Sequence, residues 1–363
     1  DLAQEKCRLE APQLQVSGQH EASCHYSELV RLSEPARIDP AKSESKAVFY
    51  PLLDVRHINK LFGGASKSLF GLKPSLHAVK DVSFTIGRGE TLGLVGESGC
   101  GKTTVGRMIL KLESTTSGDI LFEGESLVSA SPSRMRSLRR RIQVIFQDPY
   151  ASLNPRMTMG ETLMEPLVNS LGLAAKSAQD RVHELIDQVG LLRDVANRYP
   201  HQLSGGQRQR IGIARALAFE PDLIVCDEPV SALDVSIQGQ IINLLSTLQK
   251  KLGVSYLFIA HDLAVVRHLS HRVIVMYRGK IVETAECNQL YEAPRHPYTR
   301  ALLAAAPVPD PLIERARHGH VLQGEVGSVF SARSGCLFAN RCPLVTPQCQ
   351  TINPELMLSL IHI

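Results

Sequence analysis

At 363 residues with 44% hydrophobic positions, the chain can fill one large or two ordinary domain cores, which excludes a disordered or fibrous protein as the overall description. Its 40 Lys and Arg against 36 Asp and Glu leave a formal charge of +4, too slight over this length to mark a nucleic-acid partner. The 5% of aromatic residues include no Trp, so single strands find no stacking platform, and no apolar run approaches the roughly 20 residues of a membrane-spanning helix.

In chain order, the first feature is a repeat of the last. Setting Pro343 on Asp1 aligns Leu344, Cys349, Pro354 and Leu356 with Leu2, Cys7, Pro12 and Leu14. Residues 1–26 are therefore expected to be the tail of a preceding, similar module, and 357–363 an atypical, premature end of the second. Residues 27–51, rich in Ser, Pro and charge without an apolar period, read as a linker. From Leu52 onward, short apolar runs over 92–95, 143–146, 223–226 and 256–260 alternate with helix-like stretches such as 102–112 and 207–218. Uniformly apolar runs suit strands covered on both faces, so the alternation predicts an α/β domain around a parallel sheet. Val273 to Met276, a turn at Arg278-Gly279 and Lys280 to Val282 read as an antiparallel hairpin.

Chemistry concentrates at the ends of these runs. Gly96-Glu97-Ser98-Gly99-Cys100-Gly101-Lys102-Thr103, followed by Thr104, fits the phosphate-binding pattern GxxxxGK[ST] between an expected strand and an expected helix. Glycines let backbone N–H groups curl around phosphate oxygens, the helix N-terminus adds partial positive charge, Lys102 adds a full one, and Thr103 offers a hydroxyl to Mg²⁺. Nucleotide binding follows, while the loop alone leaves ATPases, kinases and GTPases open. The run Leu223 to Cys226 ends in Asp227 and Glu228. Asp227 suits a Mg²⁺ shell, and Glu228 is placed to activate water for attack on a γ-phosphate.

Leu203-Ser204-Gly205-Gly206-Gln207 before an amphipathic helix resembles the signature of ATP-binding cassette (ABC) proteins, and other parts of that cassette occur in the family's order. Gln147 resembles the Q-loop glutamine, Ser231-Ala232-Leu233-Asp234 the D-loop, and His261 the switch histidine. Phe62 resembles the adenine-stacking aromatic, ahead of an insert over 63–76. The resemblance implies a P-loop NTPase of the ABC type: an α/β nucleotide-binding domain over 52–290 with a helical subdomain near 148–202. It also implies ATP and Mg²⁺ as cofactors, with Thr103, Gln147 and Asp227 around the metal and Glu228, His261 and Gln147 catalytic. A second cassette, upstream in the same polypeptide or in a second copy of the chain, would close head to tail over the nucleotide, its site completed by Ser204, Gly205, Gly206, Gln207 and Asp234 of this chain. A kinase has no use for Leu203 to Gln207.

Gln147 to Pro155, QDPYASLNP, and His296-Pro297-Tyr298-Thr299 resemble the oligopeptide, dipeptide and nickel importer subgroup, with a small Cys-containing C-terminal extension over 291–356. That resemblance implies a peripheral ATPase at the cytoplasmic membrane face, two transmembrane permease subunits and an extracytoplasmic solute-binding protein as partners. Cys336, Cys342 and Cys349, and Cys7 and Cys24 of the preceding module, resemble the subgroup's cysteine sets and imply a [4Fe-4S] cluster or zinc. Eight cysteines in a chain of this length otherwise suggest reduced thiols. Cys100 and Cys226 read as small buried residues. Dipeptides, longer peptides, glutathione and nickel all stay open as substrates, and a soluble tandem ATPase acting on ribosomes or DNA is the rival from another class.

Overall fold

A computed structural model describes residues 21–22, 51–63, 67–68, 71–72, 76–148, 150, 152–305, 335–354 and 356. Cys7, Cys24, residues 27–50 of the linker and the last seven residues lie outside them. The described chain begins with β1 (Glu21–Ala22), β2 (Leu53–Phe62), the short pair β3 (Lys67–Ser68) and β4 (Gly71–Leu72), β5 (Leu76–Ile86) and β6 (Thr91–Val95). Helix α1 (Lys102–Ile109), β7 (Ser117–Phe122), β8 (Glu125–Ser126), α2 (Pro132–Arg141) and β9 (Ile142–Ile145) follow. Two helices, α3 (Met159–Asn169) and α4 (Ala175–Gln188), and two 3-10 turns then fill the stretch up to Gln202. The remainder runs α5 (Gly205–Leu217), β10 (Leu223–Asp227), α6 (Val235–Leu252), β11 (Ser255–Ala260), α7 (Leu263–Arg267), β12 (Arg272–Tyr277), β13 (Lys280–Glu286), α8 (Cys287–Glu292) and α9 (Pro297–Ala305).

The main sheet has the order β1-β13-β12-β6-β11-β10-β9, parallel from β12 through β9 and antiparallel at β13 and β1. Burial explains why its central strands read as unbroken apolar runs. Ile224 and Cys226 of β10, Tyr256 and Phe258 of β11, and Val273 and Val275 of β12 face one core, which they share with α3 to α6. Their neighbours Leu223, Val225, Leu257, Ile259, Ile274 and Met276 face a second core with Val105 and Ile109 of α1 and Leu138 of α2. Period-two alternation thus persists in space although both faces are apolar.

The second core is closed by a feature not expected from the sequence: an antiparallel sheet, β5-β2-β7-β8. Sequence pattern places antiparallel pairing only at the 273–282 hairpin. Here Val79, Val82, Phe84 and Ile86 of β5 and Leu53, Val55 and Ile58 of β2 are buried with polar residues between them, the half-buried alternation of a one-sided sheet. Three register shifts in the β2–β5 pairing disturb that alternation and hide it. Smaller differences concern ends. The helix expected to reach Leu112 stops at Ile109, since Lys111 turns to φ 53°, and the strand expected over 143–146 spans 142–145, leaving Phe146 exposed. Strand β1, from the stretch expected to be another module's tail, pairs with the edge strand β13 of this sheet.

Helix starts follow local chemistry. Thr158 and Glu161 form a capping box on α3, and Ser204 and Gln207 form one on α5. Because β9, β10, β11 and β6 are adjacent and parallel, their C-terminal ends deliver Gln147, Glu228, His261 and Gly96 to one edge of the sheet, where α/β folds hold ligands.

Candidate functional site

The loop between β6 and α1 is shaped by close backbone approach. Gly96 (φ 153°) and Gly101 (φ 108°) adopt angles that L side chains avoid, and a Cβ would collide with the Met276 carbonyl at the first and the Ala78 carbonyl at the second. Gly279 donates its N–H to the Cys100 carbonyl at 2.8 Å, tying the loop to the β12–β13 turn. Ser98 and Gly99 are exposed at the loop's crest, Cys100 is buried beneath it, and Thr104 is half-buried in the first turn of α1. No side chain caps α1, so its first N–H groups remain for an anion. Lys102 is 4% exposed and folds its ammonium onto the carbonyls of Gly96 (2.6 Å) and Glu97 (3.0 Å). Those bonds hold the charge at the loop, ready to exchange carbonyl partners for phosphate oxygens.

Thr103 donates its hydroxyl to Asp227 Oδ1 at 2.9 Å across 124 residues of chain. Burial pushes the Asp227 carboxyl above the usual range, and the Thr103 hydroxyl opposes that shift. Two hard oxygen donors this close, one of them anionic, fit a Mg²⁺ ion.

Glu228 follows immediately, with its backbone at φ 48°, a left-handed conformation unusual for a non-glycine residue. Its N–H is held by the Ile259 carbonyl at 3.0 Å, and its carbonyl accepts from Ser231 Oγ at 3.1 Å. The turn points the carboxylate at two of the residues expected from sequence. Gln147 Nε2 donates to Glu228 Oε2 at 2.9 Å, and His261 Nδ1 lies 3.4 Å from the same oxygen. One carboxylate oxygen thus gathers contributions from the ends of three strands.

Phe62 closes β2 opposite Leu76, two residues before the Ala78 that abuts the loop, and the Lys60 ammonium lies 4.9 Å from its ring centre.

The segment Ser204 to Gln207 is satisfied differently. Ser204 Oγ accepts the Gln207 N–H at 3.3 Å, and Gln207 Oε1 accepts the Ser204 N–H at 3.0 Å. Gly205 lies against Leu233, and any Cβ at Gly206 would strike Ile237, so the signature and the 231–234 turn pack as one block. Asp234 heads α6 without a side-chain capping bond, and Val235 beside it is 83% exposed.

Of the cysteines, Cys100, Cys226 and Cys287 are buried, and burial raises all three thiols above their usual range. Cys336, Cys342 and Cys349 share one small turn structure, with the Cys336 N–H bonded to the Cys349 carbonyl at 2.8 Å. Among the described residues, no three His, Cys, Asp or Glu side chains come together as metal ligands.

Sequence reasoning missed two contacts on the loop. Tyr298 Oη accepts the Glu97 N–H at 2.8 Å, and Arg341 forms a bidentate pair with the Glu97 carboxylate at 2.8 and 3.0 Å. Tyr298 even lies inside the His296 to Thr299 motif, but separations of 201 and 244 residues leave no local spacing that signals either contact.

Known proteins agree with this geometry. Residues 79–231 match the ABC transporter family and residues 282–349 the oligopeptide/dipeptide transporter C-terminal region. The chain is 51% identical to the oligopeptide transport ATP-binding protein OppF of Haemophilus influenzae, over 84% of this chain and 92% of that one. It is 48% identical to OppF of Escherichia coli (strain K12), over 89% of this chain and 96% of that one. Among solved structures, a dimeric ATP-binding cassette in a post-hydrolysis state with ADP and Pi is similar at a TM-score of 0.58 and 28% identity, covering 65% of this chain and 98% of that one. With nucleotide-loop, carboxylate and signature elements all in place and such relatives across most of its length, the chain belongs to the ABC transporter family and is an ATPase.

Proposed function

We propose that this chain is the ATP-hydrolysing subunit of a membrane importer of di- or oligopeptides. The observation that carries the ATPase chemistry is the convergence of Gln147 and His261 on Glu228 Oε2, one residue from the Thr103–Asp227 pair. The substrate class is supported by the match over 282–349 and by the names of the relatives.

Residues 96–104 bind the phosphates through backbone N–H groups, the α1 terminus and Lys102. Thr103, Asp227 and the Gln147 side-chain carbonyl would hold Mg²⁺, which would supply positive charge to offset that of the phosphates. Gln147 and a His261 tautomer carrying hydrogen on Nδ1 fix the orientation of Glu228, so that Oε1 accepts the proton from the attacking water. Phe62 stacks on the adenine. Ser204, Gly205, Gly206, Gln207 and Asp234 serve a second cassette: Ser204 and the start of α5 donate to a γ-phosphate held there, and the partner's equivalent segment completes this site. The solvent-facing Val235 fits such an interface.

The remaining partners are two transmembrane permease subunits and an extracytoplasmic solute-binding protein, with this chain peripheral at the cytoplasmic face. No described helix is long and apolar enough to cross a membrane, in keeping with that division of labour. Affinity capture from detergent-solubilised membranes tests the assignment. Two polytopic subunits are expected by mass spectrometry; ribosomal proteins or DNA in their place would overturn the transport reading.

A further inference from the structure

Two stretches of the extension, α9 with Tyr298 and the turns around Arg341, back directly onto the phosphate-binding loop. Tyr298 is fully buried, with its ring 4.7 Å from Tyr277 and 5.6 Å from Phe338. Phe338, 2% exposed, sets its edge against Tyr277 at 5.3 Å and 89°. Tyr277 follows Met276, whose carbonyl lies against Gly96. This aromatic cluster gives the extension a fixed seat behind the loop, and from that seat it reaches Glu97 twice, at its backbone N–H and at its carboxylate. The paired side chains are only 8% exposed at Arg341 and 26% at Glu97.

We propose that the C-terminal extension clamps the phosphate-binding loop, with Arg341 and Tyr298 as positioning residues that hold Glu97 for nucleotide entry. This rests on the reading of residues 96–104 as the ATP site. Glu97 lies five residues from Lys102, whose ammonium bonds the Glu97 carbonyl. An unpaired carboxylate at this point repels an incoming triphosphate and competes for Lys102. The bidentate Arg341 pair neutralises it and fixes its direction, while the Tyr298 hydroxyl fixes the backbone that bears it.

A double-mutant series on the full chain tests the clamp, read as the affinity for a fluorescent ATP analogue and as the KM and kcat of hydrolysis. Arg341→Ala is expected to weaken ATP binding about tenfold, with KM rising in step and kcat little changed. Glu97→Gln removes the charge that needs holding, so it is expected to cost only about two- to threefold. The double variant is expected to bind better than Arg341→Ala, close to Glu97→Gln, because no stranded carboxylate remains. That reversal would not arise if Arg341 only stabilised the fold. Thermal melting monitors folding, and Arg341→Lys, which keeps the charge but loses the fork, is expected to fall between the unchanged chain and Arg341→Ala. A double variant no better than Arg341→Ala, or an Arg341→Ala affinity within about twofold of the unchanged chain, overturns the clamp. Lys102→Ala separates this from the site itself. If it binds ATP as the unchanged chain does, the assignment of the loop fails; if it loses binding while Arg341→Ala does not, only the clamp fails.

Discussion

Two polar regions of this molecule are built on opposite principles. Around Glu228 the fold converges: Gln147 and His261 arrive from the ends of β9 and β11 to meet its carboxylate, and beside it Thr103 of α1 bonds Asp227. Around Ser204 nothing converges, and the capping box satisfies its polar groups from within four consecutive residues. The first arrangement needs the whole domain to exist and already sits ready for a ligand. The second needs only a helix start, and its packing against Leu233 and Ile237 presents it as a rigid block beside the exposed Val235. On the function proposed above, a site assembled by its own chain stands beside a surface that awaits another cassette, and each cassette would hold one half of each of two active sites.

The comparison breaks most visibly at Glu228. Glu228→Gln keeps the side-chain shape but removes the base, so turnover is expected to fall by about 10²- to 10⁴-fold while ATP affinity is retained. Single-turnover hydrolysis beside equilibrium ATP binding reads both, and unchanged hydrolysis would remove Glu228 from its role.

The aromatic cluster behind the phosphate-binding loop carries a second expectation. His296 is buried against Phe338, and burial holds its imidazole down at about 4 from the ordinary 6.5. It is therefore neutral in the folded chain, and the unfolded chain protonates first as the pH drops. Its contribution to stability is complete above pH 6.5 and is lost as pH falls toward 4. The loss amounts to at most about 3.5 kcal/mol, since each tenfold change in proton affinity is worth about 1.4 kcal/mol. Thermal melts of the unchanged chain and of His296→Gln across this acid range are expected to differ in slope; parallel curves would contradict the burial of a neutral imidazole.

The smallest effect sharpens the other side. Ser204→Ala removes a helix cap and is expected to cost about 1 kcal/mol of stability. ATP binding to the chain's own loop should persist while turnover falls, which titrations and steady-state rates together can check. Equal loss of both would place Ser204 in the chain's own site.

Local chemistry was legible in the sequence because it is carried by short spacings. The loop over 96–104, the acids Asp227 and Glu228 at a strand end, and the cap at Ser204 each lie within one turn or one strand. Their meeting was legible only through the resemblance, since Gln147, Glu228 and His261 share no spacing and are joined by parallel pairing of β9, β10, β11 and β6. The antiparallel sheet was missed because register shifts between Val55 and Leu61 break the alternation that marks a half-buried strand. The grip of Tyr298 and Arg341 on Glu97 was missed for a plainer reason: an aromatic and an arginine in a C-terminal segment carry no sign of which distant backbone N–H or carboxylate they meet.

The central claim, that one chain supplies half of each site, is tested most directly by the ATPase rate per mole of protein as its concentration is varied. Specific activity is expected to climb with concentration as two chains pair. Fast turnover that stays constant with dilution, from a chain shown to be monomeric by sedimentation, would contradict it.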